Sequence, residues 1–344
     1  MSIVKRDESA PAVFPVLSAL KLDDGGSAVA ATGSRQLPAI SGSAVLVVVL
    51  AGLLVYFSIS APYFLTTNNL INIVYAVSVA GIIAGPGTLL LVGGQLDLSV
   101  GSGAMLTGVV MATLSVRYGI DAGVLAAILV GVLCGALNAF AVTVLRVNAI
   151  ITTLGTLAIF QGAGLLITQG QSATVEGFDA LGNARPLLDI PLPCFLFIGI
   201  AILFAFLMKF TRFGRQMYAI GSNRVAANLA GIRGDSLIAV GFLLSSLAFT
   251  LSGLIYVSQL GATTSNTGAG LELFVVTAII LGGASLTGGR GSIVGTVLGL
   301  LILGVIGNGL VLLNVQPYWQ TVVRGALLIG AVALDQVRRR QARA

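Results

Sequence analysis

The sequence predicts an all-α integral membrane protein with about ten transmembrane helices. Hydrophobic residues make up 56% of the 344 positions, charged residues make up only 9%, and the mean hydropathy is +1.02. Soluble domains carry about 25% charged residues, so this chain cannot cover itself with a solvated surface. The apolar runs are spread evenly along the chain, which favours one membrane domain over residues 40–336.

Apolar segments of about 17–25 residues, the length of a membrane-spanning helix, recur along the chain. In order, the predicted segments are Ser43–Ser60, Leu70–Val92, Leu98–Val116, Ala122–Leu145, Ala149–Thr168, Pro193–Phe210, Ser236–Ser258, Leu271–Gly283, Ile293–Leu313 and Tyr318–Leu334. The eighth is too short for a full span, and we expect a short or re-entrant segment there. Gly85-Pro86-Gly87 should kink the second segment, because proline removes a backbone donor.

Most of the basic residues lie near the two ends of the chain and in one long loop. Lys and Arg mark cytoplasmic loops, so both termini and the loop 211–235 are predicted to be cytoplasmic. Residues 1–39 have no long apolar run, which predicts a disordered tail, and residues 337–344 form a second, basic tail. The acidic loop 169–191 then lies outside, with Arg117 and Arg185 as exceptions to the charge bias.

Several chemistries are excluded by what the sequence lacks. There is no His, which removes the commonest metal ligand and general base. No Gly-Lys pair occurs, so there is no P-loop for ATP. We therefore expect no enzyme, no metal site and no cofactor. Cys134 and Cys194 are interpreted as packing residues, and the net charge of +6 as a topology signal rather than a nucleic-acid surface.

The stretch Gly93–Ser102 places Asp97 between two long apolar runs. A charge inside the membrane costs about 2.5–3.5 kcal/mol on insertion scales. One interpretation is a buried polar lining, in which backbone N–H groups and Ser99 hold the carboxylate. The other is a loop at the membrane surface, with Asp97 capping the next helix.

Two parts of the chain resemble each other. LLLVGG ends one apolar run at Gly94, and AIILGG ends another at Gly283. Asn138 and Asn308 are predicted to lie in corresponding later helices. Such an internal repeat is typical of transporters.

Polar residues within apolar helices form a further candidate set. Amide side chains facing lipid would leave donors unpaired, so they should face the bundle interior. There they either bond a neighbouring helix or line a path; the candidates are Asn72, Asn138, Gln161 and Asn308. Arg324 either snorkels to the headgroups or pairs with Glu272, which begins the eighth segment.

The loop 211–235 is predicted to contain a short helix over Ser222–Ala230. Ser222 or Asn223 would be its N-cap, and Gly231 would stop it. Such a helix outside the membrane needs a protein partner or the lipid surface.

Three stretches of the sequence resemble a known family. They are GGQLDLSVGS, TRFGRQMYAIGSNRVAANLAGI and LGGASLTGGRGSIVGTVLGLLILGVIGNGLVLLNVQPYWQ. The chain resembles, roughly from Ala61 to Asp335, the permease subunits of bacterial ribose-type ABC importers, relatives of the branched-chain amino acid permeases. The resemblance implies a ten-helix inner-membrane permease that works as a homo- or heterodimer, with ABC ATPase subunits below and a periplasmic sugar-binding protein above.

The same resemblance assigns a role to the loop 211–235. In the family this loop contains the coupling helix that docks into the ATPase. The matching residues are Asn223, Ala226, Ala227, Gly231 and Ile232. Arg224 stands where the family usually has a Glu, and Asn148-Ala149 replace a usual Pro-Phe. Glu272 lies in a Gly-Leu-Glu-Leu motif that matches the family.

These observations together predict the sugar path of an ATP-driven importer. A polyol, a signalling sugar or a branched-chain amino acid remains an alternative substrate. An ion-coupled secondary transporter would want ionisable residues near the midplane, and only Asp97 and Glu272 come near. A channel or structural subunit would not need the long basic loop.

Overall fold

The structure is a computed structural model that describes residues 42–264 and 266–343. The helices are α1 Gly42–Ser60, α2 Thr67–Val92, α3 Val100–Tyr118, α4 Ile120–Thr143, α5 Ala149–Thr168, α6 Ala180–Asn183, α7 Leu192–Phe210, α8 Arg212–Ser222, α9 Arg224–Leu229, α10 Gly234–Leu260, α11 Leu271–Leu281, α12 Ile293–Leu312 and α13 Pro317–Arg343. Two short strands, β1 Ala173–Thr174 and β2 Ala262–Thr263, pair antiparallel with Ala173 opposite Thr263. The fold is thus the all-α membrane architecture that composition predicted.

The predicted spans agree with the helices to within a few residues, except that the last helix continues nine residues beyond the predicted end at Leu334. Eight helices of the described chain are long and apolar enough to cross a membrane, namely α1 to α5, α7, α10 and α12. The predicted eighth segment is α11, which has only 11 residues, and α13 is not among the eight. Pro86 lies inside a helix that continues from Thr67 to Val92.

The two predicted tails have different outcomes. Residues 1–39 lie outside the described residues. At the other end α13 continues to Arg343, so the backbone of 337–343 extends the last helix. The cytoplasmic location of both ends stays a prediction.

The core of the bundle is built from α2, α3 and α10, which are mostly buried, whereas α1, α5 and α7 have exposed apolar faces. Small residues explain this arrangement, because they let helix backbones approach closely. A Cβ on Gly103 would lie 2.7 Å from the Phe249 ring, and one on Gly81 would overlap the Phe197 ring. Glycines on α2 and α3 therefore allow neighbouring helices to pack closely against these two central helices.

α2 and α11 end in the same way. Gly93, Gly94 and Gln95 donate to the carbonyls of Leu89, Leu91 and Leu90 at 2.9–3.1 Å. The equivalent amides after α11 are Gly282, Gly283 and Ala284, which donate to Ala278, Ile280 and Ile279 at 2.8–3.2 Å. We call Gly93–Ser99 the first break and Gly282–Ser292 the second break. The shared cap supports the internal repeat.

The two predicted repeat asparagines are not equivalent. Asn308 lies on α12, the first helix after the second break, and Asn138 lies on α4, the second helix after the first break. Asn138 follows Gly94 by 44 residues, whereas Asn308 follows Gly283 by 25, so the two asparagines are not at matching positions after the glycine pairs.

Candidate translocation path and coupling region

The first break is held by a buried carboxylate with neutral partners. Asp97 Oδ1 accepts from the backbone N–H of Ser99 at 3.0 Å and from its hydroxyl at 2.6 Å. The Ser245 hydroxyl of α10 donates to Asp97 Oδ2 at 2.7 Å. Asp97 is only 7% exposed. The structure therefore favours the buried interpretation, because Asp97 is buried and the N-cap of α3 is Ser99, to which Asp97 bonds, rather than Asp97 itself.

Asn138 extends this network to two more helices. Its amide nitrogen donates to the Ser99 hydroxyl at 2.9 Å, and its carbonyl oxygen accepts from the Thr156 hydroxyl of α5 at 2.8 Å. Asn138, Ser99 and Ser245 are fully buried. We call Asp97, Ser99, Asn138, Thr156 and Ser245 the Asp97 network. It fixes the first break to α4, α5 and α10, so Asn138 has the helix-bonding role.

The first turns of α3 and α11 meet inside the bundle. A Cβ on Gly101 would overlap the Glu272 carboxylate, and one on Gly268 would lie 2.8 Å from the Gly101 carbonyl oxygen. The 11 residues of α11 rise about 16 Å, roughly half of the hydrocarbon core. Phe249, which packs on Gly103, lies about 22 Å along α10 from Gly234. Both helices therefore begin well inside the bundle.

A small cavity of about 110 Å³ lies at this meeting point. Its polar lining includes Ser102, Gln161 and Glu272, and Met105 and Leu157 supply apolar walls. Gln161 is exposed, and it borders this cavity. Glu272 is half-buried and makes no ion pair within the described residues.

A second cavity, of about 290 Å³, shares the segment Thr267–Gly270 with the first. Tyr256, Phe274 and Arg324 line its other side. The Arg324 guanidinium lies 5.5 Å from the centre of the Phe274 ring. The predicted pair of Arg324 with Glu272 is therefore absent, because Arg324 stacks on an aromatic ring while Glu272 faces the neighbouring cavity.

The remaining two polar candidates lie away from both cavities. Asn72 is exposed, so the expectation that it faces the bundle interior is wrong for this chain alone. Ile73 and Asn69, on the same helix, are buried against the rest of the bundle. Asn72 lies at the edge of this buried surface and its side chain is therefore left exposed. Asn308 exchanges two 2.9 Å hydrogen bonds with Asn69, which joins α12 to α2, so Asn308 has the helix-bonding role.

The short helix predicted in the loop 211–235 is present as α9, and only one residue separates it from α8. Asn223 is its N-cap, and the Asn223 side chain accepts from Ala226 N–H at 3.0 Å. Gly231 follows at φ +80°, a conformation that glycine adopts without strain. Ile232 N–H donates to the Ala227 carbonyl at 3.0 Å. Both the cap and the stop that the sequence predicted are in place.

α9 has two different faces. Ala227 is 5% exposed and packs inside the chain, so it is not available for an outside contact. Val225 and Leu229 are 70% and 86% exposed, and Ala226 is exposed too. Arg224 pairs with Asp235 at the start of α10.

A cleft of about 520 Å³ opens beside α9. Its lining combines the first break, represented by Gln95, with the α4–α5 loop at Arg146 and Asn148 and with the Arg224–Asp235 pair. The cleft therefore lies where the first break meets the coupling region.

Sequence reasoning missed several of these residues. Ser245 and Thr156 are hydroxyls on apolar helices, a signal too common to single out. Tyr256 and Phe274 read as ordinary apolar positions. Leu229 could have been found, since a leucine on the free side of a short polar helix is unusual.

The eight long apolar helices of the described residues define a multi-pass membrane protein, and its bundle contains a buried polar network. The family described as branched-chain amino acid transport system, permease component, matches residues 69–332. The chain belongs to this family. No solved structure matches it.

Several characterised relatives are similar over most of the chain. A D-allose transport system permease protein of Escherichia coli K12 is 39% identical over 82% of this chain and 88% of its own length. A ribose import permease protein of the same strain is 37% identical, over 82% and 90%. An L-arabinose transport system permease protein, also of that strain, is 38% identical, over 87% and 92%. The resemblance read from the three sequence stretches is thereby confirmed.

Proposed function

We propose that this chain is the permease subunit of an ATP-driven importer and forms the path for a monosaccharide. The observation that carries the proposal is the similarity, at 37–39% identity over most of both chains, to permeases named for allose, ribose and arabinose. ATP hydrolysis is expected in separate ABC ATPase subunits. The other expected partners are a second permease subunit, homo- or heterodimeric, a periplasmic sugar-binding protein and membrane lipid.

The two cavities at Thr267–Gly270 support a path for a neutral polar molecule. Sugar hydroxyls need hydrogen-bonding groups and apolar or aromatic walls. In the smaller cavity the hydrogen-bonding groups are those of Ser102, Gln161 and Glu272. In the larger cavity the aromatic walls are Tyr256 and Phe274. Asp97 is occupied by its hydroxyl and amide donors, so in this proposal it holds the wall of the path and does not touch the sugar.

The exposed face of α9 supports docking of an ATPase. Apolar side chains as exposed as Leu229 and Val225 on a helix outside the long spans favour a protein partner, because burial of such groups drives association. In this proposal the α9 end is cytoplasmic, as are both termini, and the protein lies in the bacterial inner membrane.

Uptake into proteoliposomes tests the substrate and the energy source. The chain is reconstituted with its ATPase and binding protein partners, and labelled ribose, allose, arabinose and leucine are supplied in turn. We expect uptake of a sugar that requires ATP and the binding protein and that survives an ionophore. Leucine uptake instead would favour the amino acid alternative that the family description suggests, and loss with the ionophore would favour an ion-coupled transporter.

Leu229→Glu tests the docking face. The change places a charge on an 86% exposed side chain, so the permease should still fold while the ATPase no longer co-purifies. Leu188→Glu is the matched control, since Leu188 is 78% exposed in the loop before α7. Normal ATPase binding by Leu229→Glu would contradict the role of α9.

A further inference from the structure

The two breaks touch each other through their main chains. Gly289 N–H donates to the Val92 carbonyl at 2.8 Å, which joins the second break to the last residue of α2. Gly288 lies at φ +83°, and a Cβ there would be 2.8 Å from Gly94 N. Residues with side chains could not approach this closely, so the contact depends on glycine.

The end of α8 is seated on this contact. A Cβ on Gly221 would overlap the Val92 carbonyl oxygen and would lie 2.6 Å from Gly289 N. These are the two atoms of the hydrogen bond between the breaks. One turn earlier, the Tyr218 hydroxyl donates to the Gly291 carbonyl at 2.7 Å. Burial raises the pKa of Tyr218, so the hydroxyl keeps its proton at neutral pH.

The coupling helix follows at once in the chain. Only Asn223 separates the end of α8 from the start of α9, and Asn223 caps α9. Met217 and Ile220, on the buried side of α8, pack in the same cluster as Val92 and Ile238. A displacement of α9 must therefore reach the contact between Gly221, Val92 and Gly289.

We propose that Gly221 and Tyr218 are positioning residues that join the coupling helix to both breaks, so that movement of α9 displaces both breaks together. Close-packed interiors transmit displacement, and a contact made of main-chain atoms has no side chain that could rotate to absorb it. The first break leads to the Asp97 network and the start of α3. The second follows α11, whose first turn carries Glu272. Both walls of the small cavity would thus respond to one input.

This inference rests on the proposed function, because it gives a route by which the ATPase acts on the path. The test is the number of sugar molecules transported per ATP hydrolysed by the complete reconstituted complex. A role confined to folding would lower the amount of complex and leave this ratio unchanged. A role in coupling lowers the ratio while the ATPase stays bound and active.

Two variants and two matched controls make the test specific. Tyr218→Phe removes one hydroxyl, and Gly221→Ala adds one methyl group at the contact. Tyr75→Phe removes a comparable hydroxyl bond, to the Gly182 carbonyl at 3.1 Å, in a different part of the bundle. Gly199→Ala adds a methyl group on α7 where no atom lies within 4 Å.

We expect Tyr218→Phe to lower the ratio roughly twofold to tenfold, the equivalent of one hydrogen bond, and Gly221→Ala to lower it further. Both controls should keep the wild-type ratio. If the complex that contains Gly221→Ala does not assemble, the transport ratio of Tyr218→Phe alone decides the test. An unchanged ratio in Tyr218→Phe overturns the inference, whereas a wild-type complex that transports no sugar overturns the proposed function instead.

Discussion

The break after α2 and the break after α11 begin with the same three backbone hydrogen bonds and with a glycine at φ +76° or +91°, and they then diverge. The first continues into Asp97 and Ser99, whose side chains bond α4 and α10. The second continues through Gly288 and Gly289, which pack by main chain against Gly94 and α8.

The two breaks are therefore held in place by different kinds of contact. Side-chain hydrogen bonds from three helices hold the first break in one place, because a buried polar group that loses its partner costs free energy. The second break is bonded to α8 instead, through main-chain contacts and through the Tyr218 hydroxyl, which donates to the Gly291 carbonyl. We therefore expect that, when α9 displaces both breaks, the first break moves less than the second.

The largest expected effect comes from removing the carboxylate of the first break. Asp97→Leu leaves the Ser99 and Ser245 hydroxyls without their buried acceptor, at about 1–3 kcal/mol for each donor. We expect a clear fall in folded yield and in the thermal unfolding midpoint of the detergent-purified protein. Asp97→Asn keeps one acceptor oxygen, so its unfolding midpoint should lie between those of Asp97→Leu and the wild type. Equal midpoints for all three proteins would show that the first break is not fixed by Asp97.

A smaller effect should separate the two asparagines of the repeat. Asn138→Leu leaves buried Thr156 without its acceptor and removes the donor to Ser99. Asn308→Leu removes only its exchange with Asn69, whose amide still donates to the Phe64 carbonyl at 2.9 Å. The unfolding midpoint should fall more for Asn138→Leu. The reverse order would contradict the assignment of the firmer anchor to the first half of the chain.

The sequence was sufficient for the long apolar helices and for the cap and stop of α9, but it did not predict α6 or α8. Apolar run lengths predicted α5 at Ala149–Thr168 as observed, and the Asn223 cap and the Gly231 stop of α9 were read from single residues. These features are local, so a few neighbouring residues determine them.

The contacts between distant segments could not be predicted in the same way. Ser245 lies 148 residues from Asp97, and serine is common on helices of this kind. Asn69 and Asn72 are both asparagines at the start of α2, and only the packing of other helices makes Asn69 buried and Asn72 exposed. Arg324 and Glu272 are ionisable residues predicted near the same end of the last helix and of the eighth segment, so a pair between them was one of the two interpretations. In the structure the α11 side chain next to the arginine is Phe274, not Glu272.

The smallest expected effect concerns that arginine and tests whether a charge pair ties α13 to the start of α11. Because Arg324 is exposed and stacks on Phe274, the double-mutant cycle of Arg324→Gln with Glu272→Gln should be additive to within about 0.5 kcal/mol. The cycle of Arg324→Gln with Phe274→Leu should instead show coupling of about 0.5–1 kcal/mol, as for an exposed cation–π contact. Both cycles are read as free energies of unfolding in the same detergent, with sugar uptake as a second measure. Coupling well above 1 kcal/mol between Arg324 and Glu272 would mean that the two charges pair in solution. In that case α11 would be anchored by side chains at its start, and the second break would be held as firmly as the first.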